Sequence, residues 1–382
     1  MSMVALADIL ILSNTANPVA TPASELLAPM WMCHMWFVIL CVLLAGYAIL
    51  DGFDLGVGII HFIVGRNEHE RGLHASVIGP VWDGNEVWLV TFGGGLFAAF
   101  PLAYGTIFSA FMVPLMIVLF CLILRATSVE FRSKANSAFL KFACDLGFFT
   151  ASILATFIFG VAVGAIMEGI PLNDAGTLIL PGEGTPGGAG PFEELTFALT
   201  PLSVCSGTLA VTLFALHGSL FLNLKTTGRL QTRIQKFFPV FYSAFVVAFI
   251  VTTIVAFRTI NPDTLIGPWA ILVGILNVLA VLNLPRAMYR GKPWTAFLSS
   301  CSVVAALIFL FGKAVHPNLA ISSLNSDWNI TIFDSASTQA TLLTMFVVVC
   351  FAIPFVMLYT AITYWTFRGT VSIPDEDMES AS

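Results

Sequence analysis

Met30–Val64 reads MWMCHMWFVILCVLLAGYAILDGFDLGVGIIHFIV, an apolar run without Lys or Arg whose only carboxylates are Asp51 and Asp54. A helix needs about 20 predominantly apolar residues to cross roughly 30 Å of hydrocarbon, and this run is long enough. It is continuously apolar instead of alternating, so it reads as a membrane helix and not as a barrel strand. Eight further runs share the pattern. The nine expected spans are 31–60, 77–100, 103–124, 144–167, 196–223, 238–258, 266–285, 295–313 and 340–366. The fold class that follows is an all-α integral membrane protein with about nine transmembrane helices.

Composition agrees. The chain has 382 residues, 58% hydrophobic and only 10% charged, and its mean hydropathy is +0.92. A soluble domain carries about 25% charged residues, and this chain has too few to cover a water-facing surface. It has no basic patch of the kind that binds nucleic acid. Its seven cysteines are scattered through apolar runs, without a CxxC pair or metal-ligand spacing, and read as small hydrophobes.

Charge sets the orientation. Lys and Arg collect in cytoplasmic loops. With nine spans, all 16 of them except Arg258 and Lys313 fall on one side. Adding or removing a span would scramble that split. The N-terminus is therefore expected outside and the C-terminus in the cytoplasm. Residues 1–29 form an N-terminal tail, 30–368 one transmembrane domain and 369–382 an acidic C-terminal tail. The outer loop 169–195 contains PGEGTPGGAGP at Pro181–Pro191, which excludes a helix there. Spans 1–4 and 5–8 enter in the same direction, so a parallel 4+4 helix repeat plus one, with halves 30–168 and 196–315, is expected.

An ionisable group at membrane depth costs about 2.5–3.5 kcal/mol on insertion scales and is a functional candidate by default. Two clusters qualify. In DGFDLGVG (Asp51–Gly58), Asp51 and Asp54 share a helix face at i, i+3, while Gly52 and Gly56 let another backbone approach. In WDGNEVW (Trp82–Trp88), Asp83 and Glu86 repeat the spacing, supported by Trp82, Gly84, Asn85 and Trp88. A short charged loop joins the clusters, so four carboxylates should gather at the inner end of one hairpin. Without counter-charges they cannot all stay ionised. Carboxyls that take up and release protons through water form a relay. Arg66, Arg71 and Arg125 are the arginines near enough to neutralise them instead.

Other residues read more blandly. His217 in span 5 reads as a satisfied core histidine and His34 as a headgroup-zone residue. His61, His69 and His74 belong to the inner end. Gly93-Gly94-Gly95 suggests close packing or a kink, and Pro114 and Pro354 suggest kinks in spans 3 and 9. Trp31, Trp36, Trp294 and Trp365 fit interface belts. Glu130, Arg132 and Lys134 read as a solvated loop.

The chain resembles subunit II of the cytochrome bd ubiquinol oxidase family. The likeness rests on Asp51–Gly58, on Gly65–Asn67 (GRN), on Pro80–Leu89 (PVWDGNEVWL), on Gly94–Pro101 (GGLFAAFP), on Phe131–Lys134 (FRSK) and on Tyr364-Trp365. The resemblance implies a bacterial cytoplasmic (inner) membrane enzyme that oxidises quinol and reduces dioxygen to water. It implies a heterodimer in which subunit I carries haem b, haem d and the quinol site, and in which this chain binds no haem or metal. A small accessory subunit and a quinone within this chain are further candidates. The expected chemical role is a cytoplasmic proton path in which Asp54 and Asp83 occupy the acidic positions assigned to proton transfer, with Asp51 and Glu86 beside them. The chain departs from some relatives at Val81, where they have His, and at Glu86, where they have Gln.

Two other classes of function compete. A proton-coupled secondary transporter would also place carboxylates in the membrane, but would interrupt helices near the midplane of both halves. A purely structural subunit would tolerate Asp54→Asn and Asp83→Asn.

Overall fold

The computed structural model describes residues 28–180 and 196–371. The N-terminal tail before residue 28, the segment 181–195 and the acidic tail after residue 371 lie outside the described residues, as do the expectations that fall on them.

The helices are α1 (Met30–Ile59), α2 (His61–Val64), α3 (Glu68–Ile78), α4 (Trp82–Ala99), α5 (Pro101–Ala110), α6 (Met112–Arg132), α7 (Ala138–Glu168), α8 (Pro201–Lys225), α9 (Gly228–Thr259), α10 (Pro262–Leu265), α11 (Pro268–Tyr289), α12 (Pro293–Val315) and α13 (Gln339–Thr366). A two-stranded antiparallel ribbon, β1 (Asn318–Ala320) and β2 (Ile330–Thr331), lies between α12 and α13. Among the described residues eight helices are long and apolar enough to cross a membrane: α1, α6, α7, α8, α9, α11, α12 and α13. The protein is a multi-pass membrane protein. The second expected span falls on α3 and α4, and the polar start of α4 keeps it out of that set of eight.

Helix starts follow their sequences. Proline, which lacks a donor to lose, opens α5, α8, α11 and α12. Thr200 and Ser203 form a capping box on α8, Asn67 caps α3 and Ser137 caps α7. The third expected span, 103–124, is not one helix. It breaks at Phe111 between α5 and α6. Pro114 explains the break, because its ring collides with the carbonyl four residues earlier, that of Ala110. α5 is tied to the segment between β2 and α13, where the Ser335 hydroxyl accepts from the Ala103 N–H at 2.8 Å.

α1 is the central helix, packed against α4, α7, α8 and α12. In the first half α1 packs on α4 and α7, and α6 on α7. The second half repeats the scheme, with α8 on α9 and α12, and α11 on α12. The two schemes meet where α7 packs on α8 and where α1 crosses α8 at Gly56 and Gly218. A Cβ on Gly56 would lie 1.9 Å from the Phe214 carbonyl oxygen, and one on Gly218 would lie 2.3 Å from the Gly56 carbonyl carbon. Only glycine fits this backbone-to-backbone contact.

Two expectations are corrected. Trp36 is fully buried. Its indole N–H donates to the Leu342 carbonyl at 3.2 Å, drawing it inward, whereas Trp31, Trp294 and Trp365 are exposed. In the Gly93–Gly95 triplet close packing is confined to Gly95, where a Cβ would lie 3.2 Å from Leu40 and 3.8 Å from Leu43, while Gly93 and Gly94 meet no described atom within 4 Å. The seven cysteines are unpaired.

Candidate functional site

Asp51 and Asp54 are fully buried, as is the Arg125 side chain that α6 brings to them. The Arg125 guanidinium donates to Asp51 Oδ1 at 2.5 Å and to Glu86 Oε2 at 3.1 Å, clamping α1 to α4. Asp54 has no arginine. Its Oδ2 accepts from the Asn85 amide at 2.8 Å, and that amide also reaches the Leu50 carbonyl at 3.3 Å. The Asn85 oxygen accepts from the Tyr364 hydroxyl at 2.9 Å. Two donations by its nitrogen and one acceptance by its oxygen fix the Asn85 orientation. The last helix thereby reaches the centre. One fixed cation faces three carboxyl groups, with a neutral amide and a phenol at the margin.

Asp83 is not among them. It is exposed in the first turn of α4. At 100° per residue it stands 200° round the helix from buried Asn85, whereas Glu86 stands 100° from Asn85 on the flank facing Arg125. Its charge still complements the N-terminal helix dipole. Elsewhere in the motif, Trp88 packs on Gly46, and Gly84 leaves room for the Tyr359 ring.

A second buried network forms around Asp145 at the basic end of α7. Asp145 accepts from His61 Nε2 at 2.9 Å, from Arg71 Nε at 2.9 Å, and from Arg132 through both Nε and Nη2. His74 Nδ1 lies 3.2 Å from His61 Nδ1. Arg132 is buried, not solvated, while Glu130 and Lys134 form an exposed i, i+4 pair. Nearby, Arg233 on α9 bonds Glu70 at 2.5 Å and the Val64 carbonyl at 2.8 Å. Sequence reasoning passed over Asp145, although a lone carboxylate opening an apolar span was the same signal that picked out Asp51.

Burial lowers the pKa of His61 and lowers that of His74 well below the ordinary histidine value. Both are therefore neutral in the folded chain near pH 7. The folded pKa values are depressed, so the stability they permit is complete above about pH 6.5, the unfolded value, and falls as pH drops below it. The thermal midpoint in detergent should decline on acidification through that window, and His74→Met should flatten the decline. A His74→Met curve as steep as wild type would sink this assignment.

The chain matches the family model "Cytochrome bd terminal oxidase subunit II" over residues 32–367. The chain belongs to the cytochrome bd terminal oxidase subunit II family. Among bd oxidase relatives, "Cytochrome bd-I ubiquinol oxidase subunit 2" of Escherichia coli is 31% identical over 375 residues, 90% of this chain and 96% of that one. "Cytochrome bd ubiquinol oxidase subunit 2" of Bacillus subtilis is 30% identical over 342 residues, 88% of this chain and 96% of that one. A chain of the bd oxidase structure from Geobacillus thermodenitrificans superposes with a TM-score of 0.71 at 17% identity, covering 88% of this chain and 99% of that chain, which establishes a shared fold.

A cytochrome bd complex contains haem, and a haem iron takes an axial ligand with an open donor atom. His217 does not fit that role. Its Nε2 lies 2.9 Å from the Ile49 carbonyl, which must accept, and its Nδ1 lies 2.7 Å from the Ser300 hydroxyl. Both ring nitrogens are engaged, as the core reading of His217 expected. His34 is likewise turned towards His316, ring nitrogen to ring nitrogen at 3.0 Å.

Proposed function

We propose that this chain is the haem-free subunit II of a bd-type quinol oxidase in a bacterial cytoplasmic membrane. Partnered with subunit I, it supports quinol oxidation and dioxygen reduction to water. Its own chemistry is delivery of protons from the cytoplasm. The observation that carries this reading is the buried centre of Asp51, Asp54, Glu86 and Arg125 in a chain of this family. One cation and three carboxyl groups can hold a proton and pass it on, whereas paired charges alone would only brace helices. Exposed Asp83, one turn from Glu86, suits the entrance. Nine spans, an outer N-terminus and a cytoplasmic C-terminus follow from the loop charges, and the repeated helix pairing supports the parallel 4+4 arrangement. A quinone, lipid and a small accessory subunit remain partners in this proposal.

The test begins with the tagged chain purified in mild detergent from its native membrane. Co-purification of a second polytopic chain, with haem bands in the reduced-minus-oxidised spectrum and quinol-driven oxygen uptake, is expected. A colourless, inactive chain that comes alone overturns the proposal. Asp54→Asn should then slow oxygen uptake by roughly 10²-fold, the lower range for loss of a proton-transfer group, with haem content unchanged. Wild-type turnover in that variant would leave a structural role.

A further inference from the structure

Among the described residues, four polar atoms around the carboxylate centre are buried without a hydrogen bond of full geometry: Asp51 Oδ2, Asp54 Oδ1, Arg125 Nε and the Tyr47 hydroxyl. Tyr47 lies one helical turn before Asp51 on the same face of α1. It is within electrostatic reach of Asp51, Arg125 and Glu86, and within hydrogen-bonding range of the Asp51 carboxyl group. Its ring is held edge-on by Phe159 of α7, with centroids 5.7 Å apart. It packs in one cluster with Leu43 and Trp88, whose indole N–H is also buried and unpartnered. Three donors (the phenol, the guanidinium Nε–H and the indole N–H) and two carboxylate acceptors are thus buried around the same centre, with Tyr47 4% exposed.

Buried polar atoms are almost always hydrogen-bonded, and a buried water makes about three hydrogen bonds. Five such atoms call for about two waters. We infer that Tyr47 is a proton-transfer residue, in direct reach of Asp51 and linked to Asp54 through bound water, which carries the path one helical turn beyond the carboxylates towards the membrane interior. This rests on the proton-delivery reading above. The step is balanced: the phenol O–H passes its proton to a bound water while its oxygen takes one from the Asp51 carboxyl, which is reprotonated in turn from the cytoplasmic side. The hydroxyl is suited to it because it can donate and accept in the same site. Trp88, a donor only, positions the water.

The test compares Tyr47→Phe with Asp51→Asn in the assembled oxidase. Three readouts apply: quinol-driven oxygen uptake, its solvent deuterium isotope effect, and infrared bands of bound water identified by H₂¹⁸O exchange. Tyr47→Phe removes one oxygen and keeps the ring against Phe159. It should slow uptake about tenfold, a small share of the range for a proton-transfer group, raise the isotope effect and remove a bound-water band. Slow Asp51→Asn with wild-type Tyr47→Phe in all three readouts would overturn the role of Tyr47 and leave the carboxylate path standing. Wild-type behaviour of both would remove the path and this inference together. Should Tyr47→Phe not assemble, 3,5-difluorotyrosine at position 47 keeps the hydroxyl and makes it more acidic. The pH profile of turnover should then shift to lower pH, and an unshifted profile would overturn the proposal.

Discussion

Arg125→Met should cost the fold about 3–5 kcal/mol, the range for stripping one partner from a buried ion pair. The loss would appear as a lower thermal midpoint and as poor recovery of the membrane complex. The cause is what remains: Asp51, fully buried, and Glu86, with its side chain 24% exposed, would face each other without the guanidinium that both contact. Most of the penalty belongs to the stranded carboxylates. Arg125→Met combined with Asp51→Asn and Glu86→Gln should therefore recover assembly, while oxygen uptake stays low because two of the three exchangeable carboxyl groups are gone. Recovery of both together would show that the centre only braces α1 against α4 and α6. A single variant as stable as wild type would mean that the ion pairs contribute nothing.

Gly56→Ala should be nearly as damaging. A methyl group at this position would sit 1.9 Å from the Phe214 carbonyl oxygen. Neither backbone can yield alone, because α1 and α8 are each pinned between other helices. The expected cost is at or above the roughly 1–3 kcal/mol typical of overpacking. Gly93→Ala and Gly94→Ala are the controls, since a Cβ there meets no atom within 4 Å. In a helix interior alanine is favoured over glycine by about 1 kcal/mol, so they should be neutral or mildly stabilising. Thermal melts in one detergent would separate the cases. Equal midpoints for Gly56→Ala and Gly94→Ala would refute the close-crossing account.

Depth was legible in the sequence, and direction around a helix was not. Asp51 and Asp54 declared themselves because carboxylates in an apolar run are expensive, and both are buried. Asp83 gave the same signal from the edge of a span, where a one-residue difference in azimuth decides between core and surface. Arg125 was one of three arginines that could have neutralised the cluster, and only the packing of α6 selects it. Tyr364 lies 279 residues from Asn85, a pairing no local pattern predicts. The Asp145 network was hidden because its members, on α2, α3, α6 and α7, each look ordinary alone. Span positions came out well where apolar runs were uninterrupted. They slipped at 77–124, where Pro101 and Pro114 cut one apolar stretch into three helices.

The bond between Tyr364 and Asn85 has a bearing on biogenesis. α13 is the least enclosed of the long helices, with Leu342 its one buried residue. Its docking at the basic end rests on Tyr364, on the Lys225 ammonium bonded to the Phe367 carbonyl at 2.5 Å, and on the Val371 N–H bonded to the Lys225 carbonyl at 2.8 Å. Ribosomes build chains from the N-terminus, so α1, α4 and α6 can gather Asp51, Glu86 and Arg125 long before α13 leaves the translocon. Until then the Asn85 oxygen lacks its donor, and the orientation of the amide that holds Asp54 is not fixed from that side. The arrival of the final segment closes the polar centre, so a chain stopped short of Tyr364 leaves the Asn85 oxygen without this donor.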